Sequence, residues 1–457
     1  MSLNIQNTVD ALQSTFDSSK TRELSFRRQQ LGSLIDLLKD NEDELSTALK
    51  KDLCKSSFES WSSEIGFVIA EIEFALKHLN KWVRPKKVSS PLVVQPAKST
   101  IMAEPLGLVL IIGAWNYPVQ LTLGPLVAAI AAGNCAVIKP SEVAEATSKV
   151  IAELLPKYLD SDSYQVIQGG VDETTALLAC KFDHIFYTGS EAVAKTVMRA
   201  AANHLTPVTL ELGGKSPCVV AEDCNWKVTS ARIIWSKFMN AGQTCVCPDY
   251  IIVQRNQAEK LISNLRNQIH KFYSSVPKGS KDYGRIISQR HTKRLASYLD
   301  GMNCVIGGEN NIEDCYIAPT VVLDPPLDSN LMTQEIFGPI LPIITVDDLK
   351  DAIALIKAKP KPLAMYVYSA DKSFIDKMIH ETSAGSVAIN DGMMFMANPN
   401  LPFGGVGNSG MGRYHGVFGF ETFSHFKSVI DRGTIIDPSL RYPPFNKLKL
   451  EIIKKIL

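Results

Sequence analysis

The residue of this sequence best suited to covalent chemistry is Cys245, which closes the run Phe238-Met239-Asn240-Ala241-Gly242-Gln243-Thr244-Cys245 ahead of Val246-Cys247-Pro248-Asp249-Tyr250. A thiol titrates near ~8.5, and a polar pocket lowers that value, so it can attack a carbonyl near neutral pH without a metal. Addition turns the carbonyl oxygen into an alkoxide, which requires hydrogen-bond donors. Asn116, in Trp115-Asn116-Tyr117-Pro118, stands where a strand ends and a turn begins and is placed to supply one donor. The backbone N–H of Cys245 supplies a second. Standing alone, Asn116 would be read as capping a turn before Pro118. Glu211 stands just before Gly213-Gly214, where the backbone can turn sharply and approach a ligand, although a lone Glu at a strand end is usually solvated or salt-bridged.

The Cys245 run, Trp115–Pro118, Leu210-Glu211-Leu212-Gly213-Gly214-Lys215-Ser216-Pro217 and Glu335-Ile336-Phe337-Gly338-Pro339 together resemble the aldehyde dehydrogenase superfamily. The stretch from Trp235 to Tyr250 is most similar to its class 3 and fatty aldehyde branch, and the resemblance spans most of the chain. It implies that Cys245 is the nucleophile, Asn116 the oxyanion donor and Glu211 the base that activates water against a thioester.

The same resemblance implies a dinucleotide cofactor, NAD with NADP tolerated. Lys139 and Glu142, three apart at a strand end in Lys139-Pro140-Ser141-Glu142, offer a cation and a carboxylate to an adenosine ribose. They equally suit the polar start of a helix with Ser141 as its N-cap. Tyr187-Thr188-Gly189-Ser190 ends a strand and opens a helix, aiming N–H groups of Gly189 and Ser190 toward a pyrophosphate. The family pattern then has a small or polar residue and a second Gly, where this chain has Glu191 and Ala194. Gly169-Gly170 is weak as a phosphate loop. Glu335 and Phe337 resemble the pair that holds the nicotinamide half, by ribose hydroxyls and ring packing; alone, Phe337 would be core.

For the aldehyde, the apolar candidates are Tyr117, Trp235, Met239 and Phe403, with a soft patch at Met393-Met394-Phe395-Met396. Trp235 is equally an ordinary aromatic of an amphipathic helix. Cys247 is a packed thiol, or else the partner of a strained Cys-x-Cys link.

The elements that must position these groups follow from periodicity. Leu31, Leu34, Ile35 and Leu38, and again Ile65, Val68, Ile69, Ile72, Leu76 and Leu79, predict two amphipathic helices. Short apolar strands Leu108–Ala114, Ala136–Ile138, Tyr164–Ile167 and His184–Tyr187 alternate with helices, which predicts a doubly wound Rossmann-like NAD-binding domain. A second run, with strands near Tyr250–Gln254, Ile340–Val346, Met365–Tyr368 and Ser386–Asn390, predicts a second α/β catalytic domain. The expected division is 1–90 and 105–210 for the NAD-binding domain, 211–400 for the catalytic domain, and 91–104 with 401–457 for a small β oligomerisation region. Eighteen uncharged residues from Leu121 to Ile138 mimic a membrane span, but Pro125 and Gly133-Asn134 predict a buried helix, a turn and a strand.

Composition narrows the partners. With 48 Lys plus Arg against 47 Asp plus Glu, there is no bulk attraction to nucleic acid or acidic lipid, so no nucleic-acid partner is expected. Nine scattered cysteines lack zinc-site spacing, which fits a reducing compartment and predicts no metal. The polar N-terminus lacks a secretory pattern, so the cytoplasm is the expected location. Lys447, Lys449, Lys454 and Lys455 alternate with apolar residues up to Ile456, as in a short helix that docks on a membrane surface or over a neighbour's substrate entrance. The fatty aldehyde branch carries an anchor beyond such a segment. By resemblance the assembly is a homodimer that pairs sheets across subunits. The rival readings are a coenzyme A-acylating relative, against which Glu211 argues, and a non-catalytic structural protein on the same fold.

Overall fold

The computed structural model describes residues 2–348 and 350–457; Met1 and Leu349, inside the expected domain spans, lie outside the described residues. A six-stranded sheet has the order Gly410–Met411, Val208–Glu211, His184–Thr188, Leu108–Ile112, Cys135–Lys139, Tyr164–Val166. Its pairings are parallel except for Gly410–Met411, which runs antiparallel to Val208–Glu211. Every position of Leu108–Ile112 and Cys135–Lys139 is buried, as expected of strands covered on both faces. Val109, Ile111, Ala136 and Ile138 join the cluster containing helices Leu24–Asp40, Gly66–Trp82 and Gln120–Ala132. Leu108, Leu110, Ile112 and Val137 pack with Leu177, Ala194 and Val197 on the other side. The alternation along each strand is the period-two rule that puts neighbouring side chains on opposite faces.

The uncharged stretch resolves as helix Gln120–Ala132, a left-handed turn at Gly133 (φ 94°) and strand Cys135–Lys139. Among the described residues no helix is long and apolar enough to cross a membrane.

A seven-stranded sheet has the order Cys304–Ile306, Thr320–Leu323, Ile340–Val346, Tyr250–Gln254, Pro217–Val220, Ala364–Tyr368, Ser386–Ile389. Only its first pairing is antiparallel. A third, largely exposed sheet pairs Lys98–Pro105 with Lys86–Val88 on one edge and Ser424–Asp431 on the other. Its hairpin thus begins before residue 91, and Leu92–Val94 forms a short 3-10 turn inside it.

Ser141, an N-cap only in the alternative reading of this segment as a helix start, does not cap a helix. The helix runs Glu145–Tyr158, and the Ser141 hydroxyl accepts the N–H of Val143 in the preceding turn. The distant Asp52 carboxylate instead takes the N–H groups of Ala146 (3.0 Å) and Thr147 (2.8 Å). A carboxylate there satisfies otherwise unpaired donors and complements the helix dipole.

Candidate active site

The carboxyl ends of the six-stranded sheet face the amino ends of the seven-stranded one. Asn116, Lys139, Gly189 and Glu211 lie at or just beyond the ends of the strands Leu108–Ile112, Cys135–Lys139, His184–Thr188 and Val208–Glu211. Cys245 and Glu335 come a few residues before strands Tyr250–Gln254 and Ile340–Val346. All six line one cleft of about 710 Å³, together with Ser190, Glu142 and Phe337. In the six-stranded sheet the chain order reverses at Leu108–Ile112, and the crevice beyond such a switch point is where open α/β sheets bind ligands.

The loop before Cys245 is held in an uncommon conformation. Asn240 (φ 52°, ψ 32°), Ala241 (φ 50°, ψ 36°) and Gly242 (φ 73°) are successively left-handed. A side chain on Gly242 would overlap the carbonyl oxygen of Gly338, at 2.3 Å from its Cβ. The Asn240 amide donates to the carbonyls of Asn116 (2.7 Å) and Gln243 (3.1 Å). Gln243 donates to the Arg285 carbonyl (2.9 Å) and accepts the N–H of Ile287 (2.9 Å). Non-glycine residues in this region cost roughly 1–3 kcal/mol each, so the surrounding bonds must over-determine the loop. Asn116 donates one amide hydrogen to the Gln243 carbonyl at 3.0 Å, which leaves its second hydrogen for another acceptor.

Carboxyl groups set the electrostatics. Cys245 is partly exposed, and burial pushes its thiol well up, aided by the Glu335 and Glu211 carboxylates. Glu211 is 2% exposed, and neither of its side-chain oxygens has a hydrogen-bond partner. Burial therefore holds its carboxyl far above the ordinary range. Glu335 is pushed up to about 8 by burial and by Asp249, against the pull of the Gly214 N–H and Lys215. A side chain on Gly213 would overlap the Glu335 carboxylate, so glycine there permits the approach. Asp249 anchors the Glu335 loop from behind: it binds Lys215 at 2.6 Å and accepts the N–H of Ile336 at 3.2 Å. Cys247 is buried with its sulfur 3.8 Å from the Lys237 ammonium and donates to the Gly242 carbonyl, as a packed thiol would.

At the other end of the cleft, the buried Lys139 ammonium binds the half-exposed Glu142 carboxylate at 3.1 Å and the Pro140 carbonyl at 2.8 Å. Ser190 caps helix Glu191–Ala202. Glu191 is paired with Lys195 at 2.7 Å and bonded by Asn408, so its charge is partly neutralised outside the cleft lining. Ala194 packs into the core beside the sheet. Thr188 carries a buried hydroxyl without a partner. Phe337 (φ 52°) meets Trp115 edge-on with ring centroids 5.2 Å apart, and His291 lies 5.3 Å from Trp115 on its other contact. Arg294 holds this turn by donating to the Ile336 carbonyl at 2.9 Å. A cleft lined by apolar Val143, Val171 and Leu178 as well as Lys139, the helix N-terminus at Ser190 and the Trp115–Phe337 aromatic pair fits a dinucleotide.

The apolar candidates are not part of this cleft lining. Tyr117 is buried, with its hydroxyl 2.7 Å from that of Thr244, next to Cys245. Met239 is partly buried against the main core. Phe403 stacks with Phe395 (6.4 Å) and packs on Tyr414 and His415. Trp235 is 37% exposed on helix Trp226–Phe238, the outcome ordinary amphipathicity would give. Sequence reasoning missed Lys55, Glu59 and Glu64, all buried beneath the Asn116 turn. A charged residue among Ser and Trp carries the signature of a surface, and nothing in the sequence marks these three as interior. It also missed Tyr414, whose buried hydroxyl lacks a partner.

Known proteins provide an independent comparison. The model of the aldehyde dehydrogenase family matches residues 2–429. The chain is 47% identical over 442 residues to "Aldehyde dehydrogenase, dimeric NADP-preferring" of Canis lupus familiaris, covering 96% of this chain and 98% of that one. It is 46% identical over 455 residues to "Aldehyde dehydrogenase family 3 member A2" of Rattus norvegicus, covering 99% and 94% respectively. Among solved structures it is similar to the substrate-bound state of Staphylococcus aureus AldH, with TM-score 0.97, 45% identity and 99% of each chain covered.

Proposed function

Since the chain belongs to the aldehyde dehydrogenase family, we propose that Cys245, Asn116 and Glu211 carry out the oxidation of apolar aldehydes, of medium or long aliphatic chain or aromatic, to their acids. The enzyme is a non-acylating, NAD(P)-dependent aldehyde dehydrogenase. In our reading the Cys245 thiol releases its proton to solvent as the sulfur attacks the aldehyde carbon, and the Asn116 amide with the Cys245 backbone N–H donates to the developing alkoxide. NAD(P), when bound, would supply the hydride acceptor, and Lys139, Glu142, Gly189, Ser190, Glu335 and Phe337 would hold it. Loss of hydride leaves a thioester on Cys245. Glu211 then takes a proton from water, the water oxygen attacks the thioester carbon, and the acid departs as the thiol is restored.

The observation that carries this reading is the Glu211 carboxyl, buried without a partner in the same cleft as the Cys245 thiol. Its raised affinity for protons strengthens it as an acceptor of a proton from water. In Glu211→Gln, NADH should appear as a burst equal to the enzyme concentration, followed by slow turnover. Equal loss of burst and steady state would assign Glu211 to a step before hydride transfer and sink the reading.

Support for an apolar aldehyde comes from Tyr117 and Met239, which adjoin the Cys245 loop; Phe403 would contribute through its packing with Phe395 and Tyr414, and Trp235, being exposed, only at an outer rim. A homodimer is supported by Met102, Phe426 and Ile430, which expose apolar surface on the small sheet. The C-terminal helix Lys447–Ile456, with Leu448 and Leu450 exposed among lysines, suits contact with a membrane surface by an otherwise cytoplasmic enzyme.

A further inference from the structure

Two fully buried charged side chains, Lys55 and Glu64, lie beneath the Asn116 turn and are not themselves part of the cleft lining. The Lys55 ammonium donates to Glu64 and to the Asn116 carbonyl oxygen (3.0 Å), and sits 3.9 Å from the centre of the Tyr117 ring. The other Glu64 oxygen accepts the N–H groups of Val119 (2.9 Å) and Gln120 (3.0 Å). Between the Asn116 carbonyl and these two N–H groups stands Pro118, which has no N–H to offer. One buried pair therefore fixes the segment from Asn116 to Gln120 on both sides of the proline.

Stability does not account for such a pair. Taking two charges out of water costs about as much as their attraction returns, and apolar replacements of buried pairs are often neutral or stabilising. The elements that carry it are also unusual. Glu64 lies in a five-residue π-helical turn, Trp61–Ile65, and π turns concentrate at functional sites. Cys54, immediately before Lys55, is left-handed at φ 54°. The Asn116 carbonyl that Lys55 binds also accepts the Asn240 amide, which bonds Gln243, and the Asn116 side chain bonds the same Gln243 carbonyl. The pair thus reaches the nucleophile loop through Asn116.

We propose that Lys55 and Glu64 are positioning residues: by clamping the main chain of Asn116–Gln120 they aim the Asn116 amide at the position of the oxyanion and lock it to the loop that carries Cys245. This rests on the reading of Asn116 as an oxyanion donor. A donor acts fully only when held on the developing charge, and displacement of about 1 Å can cost on the order of 10²-fold in rate.

The test is a mutant cycle on the full-length enzyme, read by the rate of the NADH burst, the cofactor Kd and the Tm. The paired replacement Lys55→Met/Glu64→Gln removes both charges together and keeps an acceptor for the two N–H groups. The expected result is a burst rate lower by about 10- to 100-fold with cofactor Kd unchanged. In an Asn116→Ala background the same pair should cost less than about twofold, because its route of action is already gone. An unchanged burst rate, or the same fold loss in both backgrounds, would overturn the proposal. Lys55→Gln keeps a donor for the Asn116 carbonyl and should retain most of the burst rate; a loss as large as that of Lys55→Met would also overturn it. If the paired variant fails to fold, Lys55→Met and Lys55→Gln carry the same cycle. A near-normal burst in Asn116→Ala alone would instead remove the oxyanion reading itself.

Discussion

Replacing Glu142 by Thr should move cofactor preference toward NADP by about two orders of magnitude, expressed as the ratio of kcat/KM values. Glu142 is half-exposed and sits 3.1 Å from the buried Lys139 ammonium. A 2′-phosphate placed about 5 Å from this carboxylate, at an effective dielectric of ~40, would be repelled by about 1.7 kcal/mol per unit of its charge. For a doubly charged phosphate that is about 3 kcal/mol, and solvent and salt screening of the half-exposed carboxylate removes roughly half. Relief of the remainder is worth about tenfold for NADP, since 1.4 kcal/mol corresponds to a factor of ten. NAD should lose about tenfold at the same time, because a hydrogen bond to a charged acceptor contributes about 1.5–3 kcal/mol and half-exposure favours the lower end. The assay is initial-rate kinetics with each cofactor at saturating aldehyde. A change in the ratio below about threefold would mean that Glu142 is a turn residue without a ribose contact, and the Lys139–Glu142 assignment would fall.

Cys245→Ser should lose at least ~10³-fold in turnover while cofactor Kd changes little, because a hydroxyl is a far weaker nucleophile at neutral pH. Appreciable turnover in that variant, measured by NADH production, would require another nucleophile. The cofactor-free enzyme should lose stability as pH rises. An unfolded Glu335 releases its proton near pH 4.5, and the folded one only near 8. The folded protein therefore binds more protons across that window, and stability present below pH 4.5 is lost progressively up to about pH 8. Glu335 should contribute a decline on the order of 5 kcal/mol to urea unfolding between those limits, added to that from Glu211, and Glu335→Gln should make the slope shallower; an identical slope in the variant would contradict the assignment.

Much of the framework was legible because it rests on periodicity and punctuation. The strands bordering the cleft are short, apolar and closed by Gly, Pro or Asn, and the stretch Leu121–Ile138 divided where Gly133 takes a left-handed turn. Residues at the ends of such strands were bound to converge, and Asn116, Lys139, Glu211, Cys245 and Glu335 share one cleft. Three kinds of feature stayed hidden. Lys55 and Glu64 read as surface charge, since burial of an ion pair is decided by tertiary packing. The helix at Glu145 takes its cap from Asp52, 93 positions before it, so the local Ser141 is no guide to it. Trp235 lies on a helix whose apolar period says that one face is wet but not which residues rim it.

The handedness of the backbone at Asn240, Ala241 and Gly242 makes the Cys245 loop a poor candidate for transplantation. With Asn240 and Ala241 wound against the preference of L-amino acids, at roughly 1–2 kcal/mol per residue, it keeps its shape only inside its enclosure. The run from Phe238 to Cys245, excised as a peptide or grafted onto another scaffold, would relax into a right-handed turn and carry the thiol without its geometry. Whoever borrows this sulfur for a designed catalyst must take along the Asn116 turn, the Gln243 contacts and the Gly338 carbonyl that leaves Gly242 no room for a side chain.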